Sequence, residues 1–147
     1  MQITRRQARE WAIQMLTAAD LNPPENVESL INSFWEQLPT QNEDGSGVVK
    51  PGKKPKAFAE ERVAGVLSSL SEIDAVLVEF VENWDLYRLG TVERAVLRMG
   101  CWELKNSDVP AAVVINEAVD LVNWYSSPKS RTIVNGVLDR YAAKLGR

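Results

Sequence analysis

Apolar residues recur along this chain with the 3.6-residue period of helices, and no segment alternates as a strand would. In the first segment Ala8, Trp11, Ala12, Met15, Leu16 and Ala19 fall three or four positions apart. Thr4 with Gln7 forms a capping box, so this helix is predicted to begin near Arg5. Val27, Leu30, Ile31, Phe34, Trp35 and Leu38 repeat the spacing in a second helix, with Asn22-Pro23 read as its start and Pro39 as its stop. A third helix is predicted over about 57–69. A fourth restarts at Ser71 with Asp74 and runs to about Asn83, followed by a corner at Trp84-Asp85-Leu86. Thr91 is read as the cap of a fifth helix to about Lys105, with Val92, Ala95, Val96, Met99 and Leu104 inward. Asp108 is read as the cap of a sixth helix to about Trp124, with Pro110 in its first turn. Ser127-Pro128 opens a seventh, striped by Ile133, Val134, Val137, Leu138, Tyr141 and Leu145. The prediction is an all-α chain of about seven helices in two small helical subdomains. The first covers about 1–70, with a mobile loop at 39–56, and the second about 71–147.

Composition narrows the chemistry. With 45% hydrophobic and 25% charged residues over 147 positions, the chain can bury the core of one domain. No apolar run is long enough to span a membrane, and no signal core precedes the first helix, so a cytoplasmic protein is expected. There is no histidine and only one cysteine, Cys101, which is expected to be a buried side chain. That removes the usual general base and nearly all zinc sites, and no glycine-rich phosphate loop is present. No enzyme, cofactor or metal is therefore expected.

Charge is distributed unevenly. The net charge is −3, yet Arg5, Arg6 and Arg9 open the chain without an acidic neighbour before Glu10. Lys50, Lys53, Lys54, Lys56 and Arg62 form a second basic stretch. Lys129, Arg131, Arg140, Lys144 and Arg147 form a third, against Asp139 alone. Cations in the first turns of a helix oppose its dipole at a few tenths of a kcal/mol each, about 0.3 at exposed sites. Their presence there points to a polyanion recognised locally. If the two ends of the chain meet in space, they make one basic surface on an acidic body, as expected of a selective nucleic-acid binder.

Three blocks then resemble one family in order and spacing: Arg5-Arg6-Gln7-Ala8-Arg9-Glu10, Val92-Glu93-Arg94-Ala95-Val96-Leu97-Arg98, and Pro110–Val119 with Val134–Asp139. Together they are similar to the bacterial transcription antitermination factor NusB family over almost the whole chain. The resemblance implies an RNA-binding adaptor that recognises boxA of ribosomal RNA operons together with the ribosomal protein NusE, within the transcribing RNA polymerase complex. It implies RNA contacts by Arg5, Arg6 and Arg9, whose guanidinium groups suit phosphates and bases. It also points to the turn from Ser126 to Ile133 before the last helix, with Lys129, Ser130, Arg131, Thr132 and Ile133 as its contacts. Glu93 is carried over as a residue that could accept from base amino groups, whereas Arg98 is read as structural. Thr17, Thr132 and Ile133 stand where the family commonly has a tyrosine, a basic residue and an aromatic. Trp124 and Tyr125 flank the junction and are candidates to compensate. Asn116, Glu117, Asn135 and Gly136 are read as helix-packing residues. Two other readings stay open: a helical protein-interaction domain without RNA function, and a homodimer that masks the basic surface.

Overall fold

The computed structural model describes residues 4–38, 51–81 and 86–147. Among them are seven α-helices and no strand. They are α1 (Arg5–Leu21), α2 (Val27–Gln37), α3 (Lys53–Ser68), α4 (Leu70–Phe80), α5 (Thr91–Asn106), α6 (Ala111–Tyr125) and α7 (Pro128–Lys144), with a 3-10 turn at Leu86–Arg88 before α5. The chain divides into two compact units, Met1–Ala64 and Gly65–Arg147. No described helix is long and apolar enough to cross a membrane.

In the first unit α1 buries the whole predicted stripe, and Ile13 besides. Thr4 caps it as expected, its hydroxyl accepting from the Gln7 N–H at 3.2 Å. The α2 helix is looser. None of its residues is fully buried, and it leans on α1 through an edge-to-face contact of Trp35 with Trp11 at 5.6 Å. The Trp35 indole N–H donates to Glu60 of α3 at 2.8 Å. Helix α2 starts at Val27, four residues later than Pro23 would place it. Two consecutive prolines hold the chain extended, and the Asn26 side chain caps instead, accepting from the Ser29 N–H at 2.8 Å. Leu38, directly before Pro39, is extended, as a residue before proline must be.

The basic stretch ahead of α3 corrects a second expectation. Residues 39–50 lie outside the described residues, but Lys53–Lys56 are the first turn of α3 rather than loop. The Lys56 N–H closes that turn onto the Gly52 carbonyl at 3.2 Å, and Pro55 is tolerated because first-turn amides need no helical partner.

The second unit is built around α5. Its run from Arg94 to Cys101 is buried on every side, beyond the one stripe that the pattern assigned to it. Helices α4, α6 and α7 pack on it. Gly100 makes the α7 contact, since a Cβ there would lie 2.8 Å from Leu138. Gly65 likewise lies against Trp102. These are the close approaches that had been expected of Gly136. Asn116 and Asn135 are instead exposed, and Gly136 faces only the Arg140 guanidinium. Arg98 is structural, as read: it grips Asp74 of α4 with two 2.9 Å bonds.

Several caps differ from expectation by one to three residues. Helix α4 starts at Leu70 after Ser69 and ends at Phe80; the Trp84-Asp85 part of the predicted corner lies outside the described residues. Gly90 and Pro110, not Thr91 and Asp108, occupy the cap positions of α5 and α6, and neither end has a side-chain cap bond. Ser127 and Pro128 open α7 as predicted.

Candidate nucleic-acid interface

Each unit presents its own basic element. In the first, Arg5 and Arg6 are exposed on the opening turn of α1, which contains no acidic residue. Arg9 is not part of that display. It is 3% exposed, and its guanidinium lies 5.1 Å from the centre of the Phe58 ring. Arg62 is equally buried and sits 3.5 Å from the same ring, with Arg5 at 5.4 Å on its edge of the cluster. Phe58 thus gathers three guanidinium groups by cation–π attraction. The spacing of Arg9 one helical turn after Arg5 and Arg6 put it beside the apolar stripe, and it follows that stripe inward. The three-arginine ledge is reduced to two displayed cations.

In the second unit the corner between α6 and α7 brings Glu93 and Ser130 together. The Ser130 hydroxyl donates to Glu93 Oε1 at 2.9 Å, and the Ser126 hydroxyl donates to the same oxygen. The two hydroxyls lie 2.9 Å apart, with Ser127 Oγ 3.4 Å from Ser130. Burial would raise the Glu93 pKa. The Ser126 bond, its own backbone N–H, the Ser130 bond and the charge of Arg94 outweigh this and hold it below its ordinary 4.5. Glu93 is therefore a carboxylate that clasps the turn. Gly90 leaves it room, because a Cβ at position 90 would collide with Glu93 Oε2. The neighbouring Arg94 points donors at the Tyr87 and Leu89 carbonyls, at 3.2 and 2.6 Å.

Around this clasp the cations face outward. Lys129, Arg131 and Thr132 are exposed, while Ser130 and Ile133 are half-buried. Helix α7 begins with no acidic residue in its first turn and no side-chain cap. Pro128 brings no N–H and the Ser130 N–H is turned back onto the Ser127 carbonyl at 3.0 Å, so the attraction for an anion there comes from the helix dipole with Lys129 and Arg131. The rest of the C-terminal positive charge serves the fold. Arg140 donates to the last carbonyl of α4, Phe80, at 2.7 Å, and Lys144 pairs with Glu79 at 3.1 Å. Arg147 caps the end of α5 through the Leu104 carbonyl at 2.5 Å and also bonds the Val109 carbonyl.

The turn from Ser126 to Ile133 is a candidate from the sequence, but the bond that ties Ser126 to Glu93 is not legible there, because the two lie 33 residues apart. Thr17, expected to weaken stacking relative to a tyrosine, is half-buried, and its hydroxyl oxygen is buried without a hydrogen-bond partner.

These features define a small all-α protein of two helical units with a hydroxyl-lined, cation-bearing corner. The model of the NusB family matches residues 6–143. The chain is 39% identical to the transcription antitermination protein NusB of Sorangium cellulosum, over 97% of this chain and 94% of that one. It is 38% identical to that of Myxococcus xanthus, over 97% of both. Among solved structures, T. maritima NusB superposes with a TM-score of 0.79 at 30% identity, covering 98% of this chain and 94% of that one. NusB from a complex of the antitermination factors NusB and NusE with dsRNA superposes with a TM-score of 0.76 at 30% identity, covering 95% and 96%. The chain belongs to the NusB family.

Proposed function

We propose that this protein is an RNA-binding transcription antitermination factor that binds the boxA element of ribosomal RNA operons together with the ribosomal protein NusE. It acts as an adaptor for the transcribing RNA polymerase complex in the cytoplasm and performs no chemistry of its own. The observation that carries the reading is the α6–α7 corner, where exposed Lys129 and Arg131 surround a turn clasped by Glu93. The solved NusB–NusE–dsRNA relative supports the same partners. Within the first unit Arg5 and Arg6 are the candidate phosphate contacts, and within the second Lys129 and Arg131 are. Ser130 and Glu93 fix the turn, and Thr132 and Ile133 border it. Glu93 thereby acts through the serines, with its Oε1 lone pairs already engaged. Single-strand phosphate contacts release counterions, so binding should weaken as salt rises. The acidic remainder of the chain complements a basic ribosomal protein.

The test is a titration of boxA-containing RNA against a scrambled RNA, with and without NusE. Preferential binding of boxA, strengthened by NusE, is the expected result. Equal binding of both RNAs in both conditions would refute the reading. Capture of NusE with no RNA dependence would favour a protein-interaction domain.

A further inference from the structure

The first unit carries a second cationic element besides the opening of α1. Helix α3 begins with Lys53, Lys54 and Lys56, and its first turn holds no acidic residue. Positive charge there opposes the helix dipole, so the lysines do not serve the helix itself. Packing accounts for one of the three. Lys56 is half-buried, and its ammonium lies 5.4 Å from the centre of the Trp35 ring, on the side where Glu60 accepts the Trp35 N–H. Lys53 and Lys54 are exposed. We propose that Lys53 and Lys54 extend the phosphate-contact surface of Arg5 and Arg6, so that α1 and α3 together hold one stretch of single-stranded RNA. This rests on the RNA-binding reading above and deepens it, by adding a second helix to the RNA surface of the first unit.

Register along α3 brings the two helix openings together. Lys54, Phe58 and Arg62 follow one another at four-residue spacing and share one face of the helix. That face meets α1: the Phe58 ring has the Arg5 guanidinium at 5.4 Å and the Arg9 guanidinium at 5.1 Å. Lys54 therefore stands one helical turn from the ring that Arg5 borders, and Lys53 adjoins it. The exposed acid of this part of α3, Glu61, lies beyond Phe58 from Lys54, and Arg62 sits 3.5 Å from it. The attraction comes from side chains, since Pro55 brings no N–H and the Lys56 N–H is turned back onto the Gly52 carbonyl at 3.2 Å. An ammonium on a flexible stem suits a phosphate as a point charge and reads no base. A basic ribosomal protein would be repelled by the same surface, which leaves the RNA as its occupant.

Such contacts should add affinity and salt dependence without adding sequence preference. The experiment is fluorescence anisotropy of labelled boxA RNA with single-stranded flanks, in the presence of NusE, at several salt concentrations. For Lys53→Ala/Lys54→Ala the log–log slope should shrink by about 1.4, at about 0.7 per phosphate contact, and affinity at about 0.1 M salt should fall by about tenfold. The preference for boxA over scrambled RNA should stay as in the wild type. Lys53→Arg/Lys54→Arg should retain both slope and affinity, because the charge is kept. Both lysines are exposed, so thermal unfolding should match the wild type and serves as the folding control. If the double Ala variant keeps the wild-type slope while Arg5→Ala/Arg6→Ala lowers it, the extension is refuted and the RNA reading survives. If the double Ala variant loses NusE and keeps the RNA slope, the lysines belong to a protein contact and the extension is again refuted. If the wild type does not prefer boxA over scrambled RNA, the functional reading itself fails.

Discussion

The openings of α1 and α7 are both cationic helix starts, yet they are built differently. Helix α1 has its own cap, Thr4, and its positive charge is divided: Arg5 and Arg6 stay outside, and Arg9 goes in against Phe58. Helix α7 has no side-chain cap and no first-turn acid. Its carboxylate comes from another helix, as Glu93 of α5 reaches the Ser126 and Ser130 hydroxyls. The first opening is stabilised locally, the second by tertiary structure. A charge count treats the two alike, whereas only the placement of each cation tells display from scaffold.

The comparison can be broken most directly at Glu93. Glu93→Ala removes an ionised acceptor for two hydroxyls and should destabilise the protein by about 2 kcal/mol in denaturant unfolding. Glu93→Gln should cost about half as much, because an acceptor remains without its charge. Gly90→Ala should fall between them, since its methyl group displaces the Glu93 carboxylate. A neutral result for all three would mean that the corner does not depend on the clasp.

The second effect lies in the first unit. Arg9→Ala should cost about 1–2 kcal/mol through lost packing and cation–π attraction, whereas Arg5→Ala and Arg6→Ala should stay within about 0.5 kcal/mol. Equal costs for all three would erase the distinction between displayed and interior arginines. Thr4→Ala should cost about 1 kcal/mol, the usual value of an N-cap, while Ser127→Ala should cost less because Ser127 makes no cap bond.

The smallest effect is in pH. The Glu93 pKa is lowered by folding, so its contribution is complete above the ordinary 4.5 and is lost as pH falls through the depressed value. Wild type should lose a stability increment below about pH 4.5 that Glu93→Gln lacks; parallel pH profiles would contradict this.

Much of the fold was legible because it is written in local pattern. The α1 stripe, the Thr4 cap and the Ser127-Pro128 start all follow from neighbours within four residues. The missed starts involve competing local signals. Asn22-Pro23 read as the start of α2, but the cap is Asn26, which lies after the proline pair. Lys53–Lys56 looked like loop because charge and Pro55 obscure a first turn, where proline is in fact permitted. Burial of Arg9 and Arg94, and the all-round burial of α5, could not be read from one chain's periodicity. They depend on what packs against each face. The clasp is hidden for the same reason: Ser130 and Glu93 are 37 residues apart. The C-terminal cations were legible as a group but not as individuals, since Arg140, Lys144 and Arg147 find carbonyls or a carboxylate only in the folded unit.

The most direct measurement is the salt dependence of boxA binding, in the presence of NusE, for wild type and for Arg5→Ala/Arg6→Ala/Lys129→Ala/Arg131→Ala. With about 0.7 per single-strand phosphate contact, the log–log slope should shrink by close to 3 while unfolding stability changes little. An unchanged slope would show that these four displayed cations do not hold RNA.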